Sequence, residues 1–336
     1  MSSTCVELRV FRAIIGLNGR TNDVIQAKCI REPSQILDFE SQAISLTSGV
    51  KDSTKCSDLV VYFGGDIQDY ELAMREHSEN HRFLKYSLEN TARRLAVRFQ
   101  GCDILVVRPA NLFLGTFSCY SNFVSSDMRG VPRFDESKAE KREAWEHLRS
   151  LVGSVLARVY SSANENKAQV APSDGIGIEP IRVANLRLVG FSKGAVVLNE
   201  LMMEAGARRK ETDRDDVRHR LCSELINTLR HVYYLDGGHG GKKSTWLTSS
   251  SVLKRTADAL PEDCCVSVSV SPYQINDPSR PWVGKDEKEF SSILEKLFES
   301  RSGTFTRTVC GDVLKPKSLA VHFRVLDEFL NATANE

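Results

Sequence analysis

The sequence predicts an α/β fold in which a mostly parallel central sheet of about eight strands carries helices on both faces. Two observations support this prediction. Two apolar segments rich in β-branched residues, 5–15 and 23–30, are joined by the turn Asn18-Gly19-Arg20 and should pair antiparallel. Short apolar strands then alternate with helical segments, and such alternation is typical of a parallel sheet covered by helices.

Six further strands are predicted from short apolar runs, some of them apolar on both faces, as buried parallel strands are. They cover residues 58–63, 103–107, 185–189, 231–235, 264–270 and 304–309. Seven helices are predicted along the same part of the chain, at residues 86–99, 138–160, 195–203, 217–229, 250–259, 285–299 and 323–330. Ligands bind such sheets at the carboxyl ends of the strands, so the residues that follow the strands are the candidates for a site.

We expect one domain over residues 1–336, with flexible surface insertions at 161–180 and 205–216. The first insertion is polar and contains Gly and Pro, and the second carries the charged run RRKETDRDD. Both patterns are typical of solvated loops.

The composition excludes several classes of protein. The 45 basic and 44 acidic residues of the 336-residue chain leave a net charge of +1, which gives no electrostatic basis for binding nucleic acid. No apolar run reaches the roughly 18 residues of a transmembrane helix. Glu7, Arg9 and Arg12 interrupt the N-terminal apolar segment, unlike a secretory signal. The nine Cys are irregularly spaced without a C-x-x-C pair, so we expect reduced core thiols in an intracellular protein.

The motif GFSKG, residues 190–194, places Ser192 between a predicted strand and a predicted helix. In this context G-x-S-x-G predicts a nucleophile elbow, in which the serine adopts a strained backbone conformation at the end of a strand. The flanking glycines are required because strand and helix pass too close for a Cβ atom. The five letters alone could also form an ordinary turn. With the flanking elements, they predict an α/β-hydrolase fold with Ser192 as the nucleophile.

A serine nucleophile needs an imidazole to remove its proton and a carboxylate to orient that imidazole. The α/β-hydrolase arrangement supplies them in the chain order Ser, acid, His. His322 follows the eighth strand and is the expected base, although a surface histidine at a helix start is the alternative. Asp277 follows the seventh strand, the commonest place for the acid, and is the predicted acid. Asp236, at the end of the sixth strand, is the alternative acid.

The oxyanion that forms during acyl transfer needs hydrogen-bond donors. In this fold they are the N–H of the residue after the nucleophile and an N–H from the loop after the third strand. These rules predict an oxyanion hole made by Lys193 and by Gly65 and Asp66 of the loop Gly64-Gly65-Asp66. The Lys193 side chain could anchor an anionic substrate, but its position alone favours solvent contact.

Three other patterns have simpler interpretations. His239 lies in the glycine-rich run DGGHGG without neighbours at metal-ligand spacing, so it predicts a flexible loop and no metal site. Residues 242–244, Lys-Lys-Ser, follow glycines but miss the G-x-x-x-x-G-K-S/T spacing of a phosphate loop, and no cofactor is predicted. The aromatic residues of 113–123 either line a pocket or belong to the core.

Several segments of the chain resemble one known family. They are LVVYFGGDIQDY (59–70), FSCYSNFVSSDMRGVP (117–132), LVGFSKGAVVLNEL (188–201), YYLDGGHGG (233–241), SPYQINDPSRPWVGKDEKEF (271–290) and HFRV (322–325). Together they are similar to the chromosome 2 open-reading-frame 69 family. This resemblance, spread over residues 58–330, implies an α/β-hydrolase fold, a serine hydrolase site and a mitochondrial association in the animal members. It implies no particular substrate.

The sequence therefore predicts an intracellular serine hydrolase that acts on an ester or thioester of a small-molecule or lipid-like acyl group, without nucleic acid as a partner. The alternative is a catalytically silent binding or scaffold protein that keeps the hydrolase fold. The expected compartment is mitochondrial by the resemblance. It is cytosolic if the N-terminus, which has no convincing transit peptide, is taken at face value.

Overall fold

A computed structural model describes residues 5–30, 57–134, 143–161, 183–208, 217–241, 245–311 and 318–332. Its strands are β1 (Cys5–Ile15), β2 (Thr21–Ile30), β3 (Ser57–Phe63), β4 (Asp103–Val107), β5 (Asn111–Phe113), β6 (Phe117–Cys119), β7 (Val183–Phe191), β8 (Leu229–Leu235), β9 (Cys265–Val270) and β10 (Phe305–Val309). Its α-helices are α1 (Glu71–Glu76), α2 (Leu88–Arg98), α3 (Ala144–Ser161), α4 (Gly194–Arg208), α5 (Val217–Asn227), α6 (Ser250–Ala259), α7 (Pro272–Ile275), α8 (Pro281–Phe298) and α9 (Leu319–Asn331). Two 3-10 segments, Leu17–Gly19 and Asn80–Tyr86, complete these elements.

Eight of the strands form one sheet in the order β1-β2-β4-β3-β7-β8-β9-β10. β2 pairs antiparallel with β1 and with β4, and all other neighbours in this sheet are parallel. The predicted antiparallel start and the mostly parallel eight-stranded sheet are therefore confirmed. The register aligns the strand ends, since Phe63 pairs with Gly190 and Phe191 pairs with Leu235. Loops that leave β3, β7 and β8 consequently meet at one edge of the sheet.

Apolar side chains on both faces of the sheet hold the helices in place. Along β3, Leu59, Val61 and Phe63 join one core cluster, whereas Val60 and Tyr62 join the other. Helices α3, α4, α5, α6 and α8 pack on the first face, and α2 and α9 pack on the second. A strand buried on both faces needs no alternation of polar residues, which is why a continuous apolar run predicted it.

Helix α4 extends further than the charge pattern indicates. The predicted insertion at 205–216 is wrong for residues 205–208, which form the last turn of α4. Arg208 is buried and ion-pairs with Glu204 at 2.7 Å and with Glu146 at 3.0 Å. Glu204 also accepts a hydrogen bond from the Ala144 N–H at 2.8 Å and so caps the start of α3. The remainder of this insertion, and residues 162–180 of the other, lie outside the described residues.

The segment 111–132 contains the short hairpin of β5 and β6, in which Leu112 pairs with Ser118. Its aromatic residues divide into two groups. Tyr120 and Phe123 are buried and pack edge-on against Phe63, with ring centroids 5.8 and 5.2 Å away. Phe117 is 36% exposed. The buried pair belongs to the core, and the hairpin projects from it beside the end of β3.

His147 on α3 makes stability depend on pH. It is fully buried, and its Nε2 bonds to Asn22 Oδ1 at 2.8 Å. Burial, with a smaller contribution from the nearby Arg20, lowers the pKa of His147 to about 4. The unfolded chain therefore takes up this proton first, near pH 6.5. Folded stability falls as pH decreases from about 6.5 towards 4, by on the order of 3 kcal/mol for this group.

We expect His147→Gln to reduce this pH dependence, because glutamine can keep a donor for Asn22 but does not titrate. Urea unfolding of both proteins at pH 7.5, 6.0 and 5.0 measures the effect. His231, whose pKa burial also lowers to about 4, is unchanged in the variant and serves as the internal reference. An equal loss of stability in the two proteins between pH 7.5 and 5.0 would contradict the prediction.

Candidate active site

Ser192 lies in the turn between β7 and α4, at the end of a central strand. Its φ of 52° is in the left-handed region, which a non-glycine residue adopts only when its surroundings impose it. The Ser192 N–H donates to Leu235 O at 2.8 Å and so fixes the turn to β8. This is the strained conformation that the elbow motif predicts.

The two flanking glycines allow α4 to pass close to the strands. A Cβ on Gly194 would lie 2.0 Å from Phe63 O, and one on Gly190 would lie 2.7 Å from Leu198 Cδ1. Real Cβ atoms do not approach other atoms this closely. The predicted reason for both glycines is therefore confirmed by the geometry.

His322 lies in the first turn of α9 and is 4% exposed, so it is not a surface histidine. Its Nδ1 is 2.6 Å from Asp236 Oδ2. Asp236 is fully buried at the end of β8, where it also accepts hydrogen bonds from the Ser271 N–H at 2.6 Å and the Ser271 hydroxyl at 2.5 Å. These bonds hold the carboxylate in one orientation towards the imidazole.

The prediction that Asp277 contacts His322 is wrong, because Asp236 occupies that position. The Asp277 carboxylate instead bonds to the Ser279 N–H at 3.0 Å, the Ser279 hydroxyl at 2.6 Å and Arg280 Nε at 2.9 Å. An aspartate that binds the backbone two residues ahead stabilises a turn, here the one that leads into α8. The sequence contained this signal, since Ser279 follows Asp277 at that spacing, whereas two glycines follow Asp236.

Two aromatic rings pack against the His322 imidazole. Phe191 stacks on it at 4.6 Å between centroids, and Tyr273 lies at 5.5 Å.

In the part of the chain that the structure describes, no hydrogen bond joins the Ser192 hydroxyl to His322. Nucleophile–base bonds are often long in the absence of substrate and shorten only in the complex.

The loop after β3 lies directly against Ser192. A Cβ on Gly65 would be 2.6 Å from the Ser192 Cβ, so only glycine fits there. The prediction that Gly65 supplies an oxyanion donor is wrong, because its N–H already donates to Gln68 Oε1 at 2.9 Å. By contrast, the N–H groups of Asp66 and Lys193 make no hydrogen bond within the described ranges. These two amides are the ones that remain for an oxyanion.

Gln68 is a site-supporting residue that the sequence did not reveal. Its Oε1 accepts from the Tyr62 hydroxyl at 2.8 Å as well as from Gly65, and its Nε2 donates to Tyr86 O at 2.8 Å. The hairpin holds the same loop from the other side. The Ser118 hydroxyl donates to Gly65 O at 2.7 Å, and the Tyr120 hydroxyl donates to Gly64 O at 3.1 Å.

The Lys193 side chain does not contact solvent as predicted, because it is 2% exposed. Its Nζ donates to Arg129 O at 2.8 Å and is 3.3 Å from Asp66 Oδ1. Burial raises the pKa of Asp66, while the Lys193 charge, the Ser118 N–H and His322 act in the opposite direction. A buried cation and a carboxylate therefore lie beside the two amides just described.

The run DGGHGG forms another border of the site. The Gly238 N–H donates to Ser192 O at 3.2 Å. His239 is 3% exposed, and its Nδ1 accepts from the Gly241 N–H at 2.9 Å, so it is packed and not a flexible loop residue.

Among the residues that the structure covers, no three His, Cys, Asp or Glu side chains are grouped so as to hold a metal ion. No helix in the described ranges is long and apolar enough to cross a membrane.

The eight strands of the sheet can be renumbered 1 to 8 in chain order by leaving out the hairpin strands β5 and β6. Their order across the sheet is then 1-2-4-3-5-6-7-8. The strained Ser192 follows the fifth of these strands, β7. This arrangement defines an α/β-hydrolase fold. The model of the C2orf69 family matches residues 10–181 and 163–299. The chain belongs to the C2orf69 family.

Named members of the family are similar over most of the chain. The Danio rerio "Mitochondrial protein C2orf69 homolog" is 33% identical over 314 residues, which cover 93% of this chain and 82% of that protein. The Homo sapiens "Mitochondrial protein C2orf69" is 32% identical over 303 residues, with 80% and 74% covered. Among solved structures, an IroE-like serine hydrolase from Shewanella oneidensis is 14% identical and covers 96% of this chain and 79% of that chain. Its TM-score of 0.40 is too low to add to the fold assignment.

Proposed function

We propose that the protein is a serine hydrolase that cleaves an ester or thioester through a covalent acyl-enzyme. The observation that carries this proposal is the 2.6 Å bond between His322 Nδ1 and Asp236 Oδ2 at the same sheet edge as the strained Ser192. A carboxylate at Nδ1 keeps the proton of the neutral ring on that atom. The lone pair on Nε2 is then available to take the serine proton.

In this mechanism, Ser192 Oγ bonds to the acyl carbon while its proton moves to His322 Nε2. The carbonyl electron pair moves to oxygen, and the N–H groups of Lys193 and Asp66 donate to that oxyanion. The carbonyl then re-forms, and the alcohol or thiol leaves with the proton from His322. Water attacks the acyl-enzyme by the same steps, which releases the carboxylic acid and restores Ser192.

The proposed substrate is a small-molecule or lipid-like acyl compound. Esters and thioesters are proposed before amides by analogy with the versatility of the fold. Hydrolysis by Ser, His and Asp needs no cofactor, so none is proposed.

A fluorophosphonate probe tests the proposed function directly, because it modifies only serines that are activated as nucleophiles. We expect the wild-type protein to be labelled and Ser192→Ala to remain unlabelled. Ser251→Ala, which changes an exposed serine on α6, is the matched control and should label like the wild type. Folded wild-type protein that resists the probe would contradict the proposal.

The second candidate is a binding or scaffold protein that keeps the hydrolase fold without catalysis. This candidate needs no bond between the Ser192 hydroxyl and His322, and none is present within the described residues, whereas the hydrolase requires substrate to bring these groups together. It predicts no labelling of folded wild-type protein and no difference between wild type and Ser192→Ala.

We also propose a mitochondrial location, because the similar proteins from fish and human are named mitochondrial. The cytosol is the alternative. Subcellular fractionation of the tagged full-length protein distinguishes them, and recovery only in the cytosolic fraction would refute the mitochondrial location.

A further inference from the structure

The two residues whose amides are proposed to bind the oxyanion are also joined through their side chains. Lys193 Nζ lies 3.3 Å from Asp66 Oδ1. Lys193 belongs to the nucleophile elbow, and Asp66 belongs to the loop after β3. One ion pair therefore connects the two halves of the proposed oxyanion hole.

Each member of the pair is also fixed to a third segment. Lys193 Nζ donates to Arg129 O at 2.8 Å, and the turn that carries this carbonyl is held by Asp127, whose Oδ1 accepts from the N–H groups of Arg129 and Val131. Asp66 Oδ1 accepts from the Ser118 N–H at 2.8 Å. Because both charged groups have a second partner, the distance between the two backbone segments is set by several bonds and not by one flexible contact.

The charges also oppose each other at the place where an anion would form. A carboxylate next to an oxyanion repels it, and an ammonium group attracts it. Groups from three elements surround His322. Asp236 bonds to it from the end of β8, and the Tyr273 ring packs on it from α7. Asp66, in the loop after β3, is the other nearby carboxylate, and a positively charged His322 would act to lower the pKa of Asp66. Lys193 is the cation that pairs with Asp66.

We infer that the Lys193–Asp66 ion pair is a positioning device, which sets the separation of the two oxyanion amides and neutralises the carboxylate beside them. This inference rests on the proposed function. In this role both side chains act through their own backbone amides and through His322, and neither touches the substrate.

A double-mutant cycle tests the pair. The rate of fluorophosphonate labelling is measured between pH 5 and 9 for the wild type, Lys193→Met, Asp66→Asn and the double variant. We expect Lys193→Met to label about 10- to 100-fold more slowly, because an uncompensated carboxylate then faces the anion. The double variant should recover to within about 10-fold of the wild type, because it lacks both charges and the two single effects are coupled.

The pH profile gives a readout that a merely structural role would not move. An unpaired Asp66 carboxylate favours protonated His322, whereas an unpaired Lys193 ammonium disfavours it. The pH of half-maximal labelling should therefore rise in Lys193→Met and fall in Asp66→Asn. Lys193→Gln, which can keep a donor for Arg129 O without the charge, should shift in the same direction as Lys193→Met.

The outcomes separate this inference from the proposed function. Absence of labelling in the wild type refutes the proposed function. In that case, NMR titration of the His322 ring in the same four proteins tests the proposed role of the ion pair without requiring any activity. Opposite shifts of the titration midpoint in the two single variants support the pair. Additive rate effects, or midpoints that move together or stay in place while Ser192 is labelled, overturn it. Thermal unfolding of each variant identifies a change that only disturbs the fold.

Discussion

Replacing Asp236 with asparagine should slow Ser192 labelling by about 10³- to 10⁴-fold. The neutral amide cannot stabilise the imidazolium that forms when His322 takes the serine proton. It can also present its own N–H₂ group to Nδ1, which would favour the ring tautomer with the proton on Nε2. That tautomer cannot accept a proton from Ser192. The observation behind this prediction is the 2.6 Å bond from His322 Nδ1 to Asp236 Oδ2.

Asp277→Asn is the matched control for this substitution. The Asp277 carboxylate bonds to Ser279 and Arg280 in a local turn, so its loss should change labelling by less than about 3-fold. Because Asp236 also bonds to Ser271, the folded state of Asp236→Asn is checked by near-UV circular dichroism and thermal unfolding. A larger loss for Asp277→Asn than for Asp236→Asn would reverse the assignment of the acid.

The contrast between these two aspartates shows what strand order can and cannot predict. The alternation of strands and helices placed both carboxylates after strands of one parallel sheet, and therefore at the correct edge. Which one reaches His322 depends on the path of the loop. The chain after β9 enters α7 and then the turn held by Asp277, whereas Asp236 stands at the strand end itself, with a φ of 47°. Counting strands does not contain that information.

The oxyanion region shows a second limit of the sequence. The loop after β3 does lie against Ser192, but which of its amides is left without a partner depends on Gln68, which occupies the Gly65 N–H at 2.9 Å. Similarly, Lys193 looks exposed from its position directly after Ser192, but its partners are Arg129 and Asp66, each more than 60 positions away in the chain. A buried charge is stable only where distant groups pair with it, and one sequence does not show which groups those are.

The two glycines of the elbow were predicted correctly because the requirement for glycine at these positions is local and steric. The same steric requirement leads to a prediction of a large loss of stability. Gly194→Ala should destabilise the protein by about 3 kcal/mol or more. The new Cβ would lie 2.0 Å from Phe63 O and 2.6 Å from Phe63 C, which are backbone atoms. They cannot move alone, since Phe63 pairs with Val107 on one side and Gly190 on the other. To relieve the clash, the start of α4 must move away from the sheet.

Urea unfolding measures this loss, with Gly240→Ala as the matched control. A Cβ on Gly240 meets no atom within 4 Å, so that variant should stay within about 0.5 kcal/mol of the wild type. Movement of α4 also displaces Ser192 and the Lys193 amide. Gly194→Ala should therefore lose probe labelling even at urea concentrations below its unfolding midpoint, where the variant is still folded. A Gly194→Ala protein with wild-type stability would mean that the strand and helix are further apart than this geometry requires. The elbow would then not be the strained turn on which the proposed nucleophile depends.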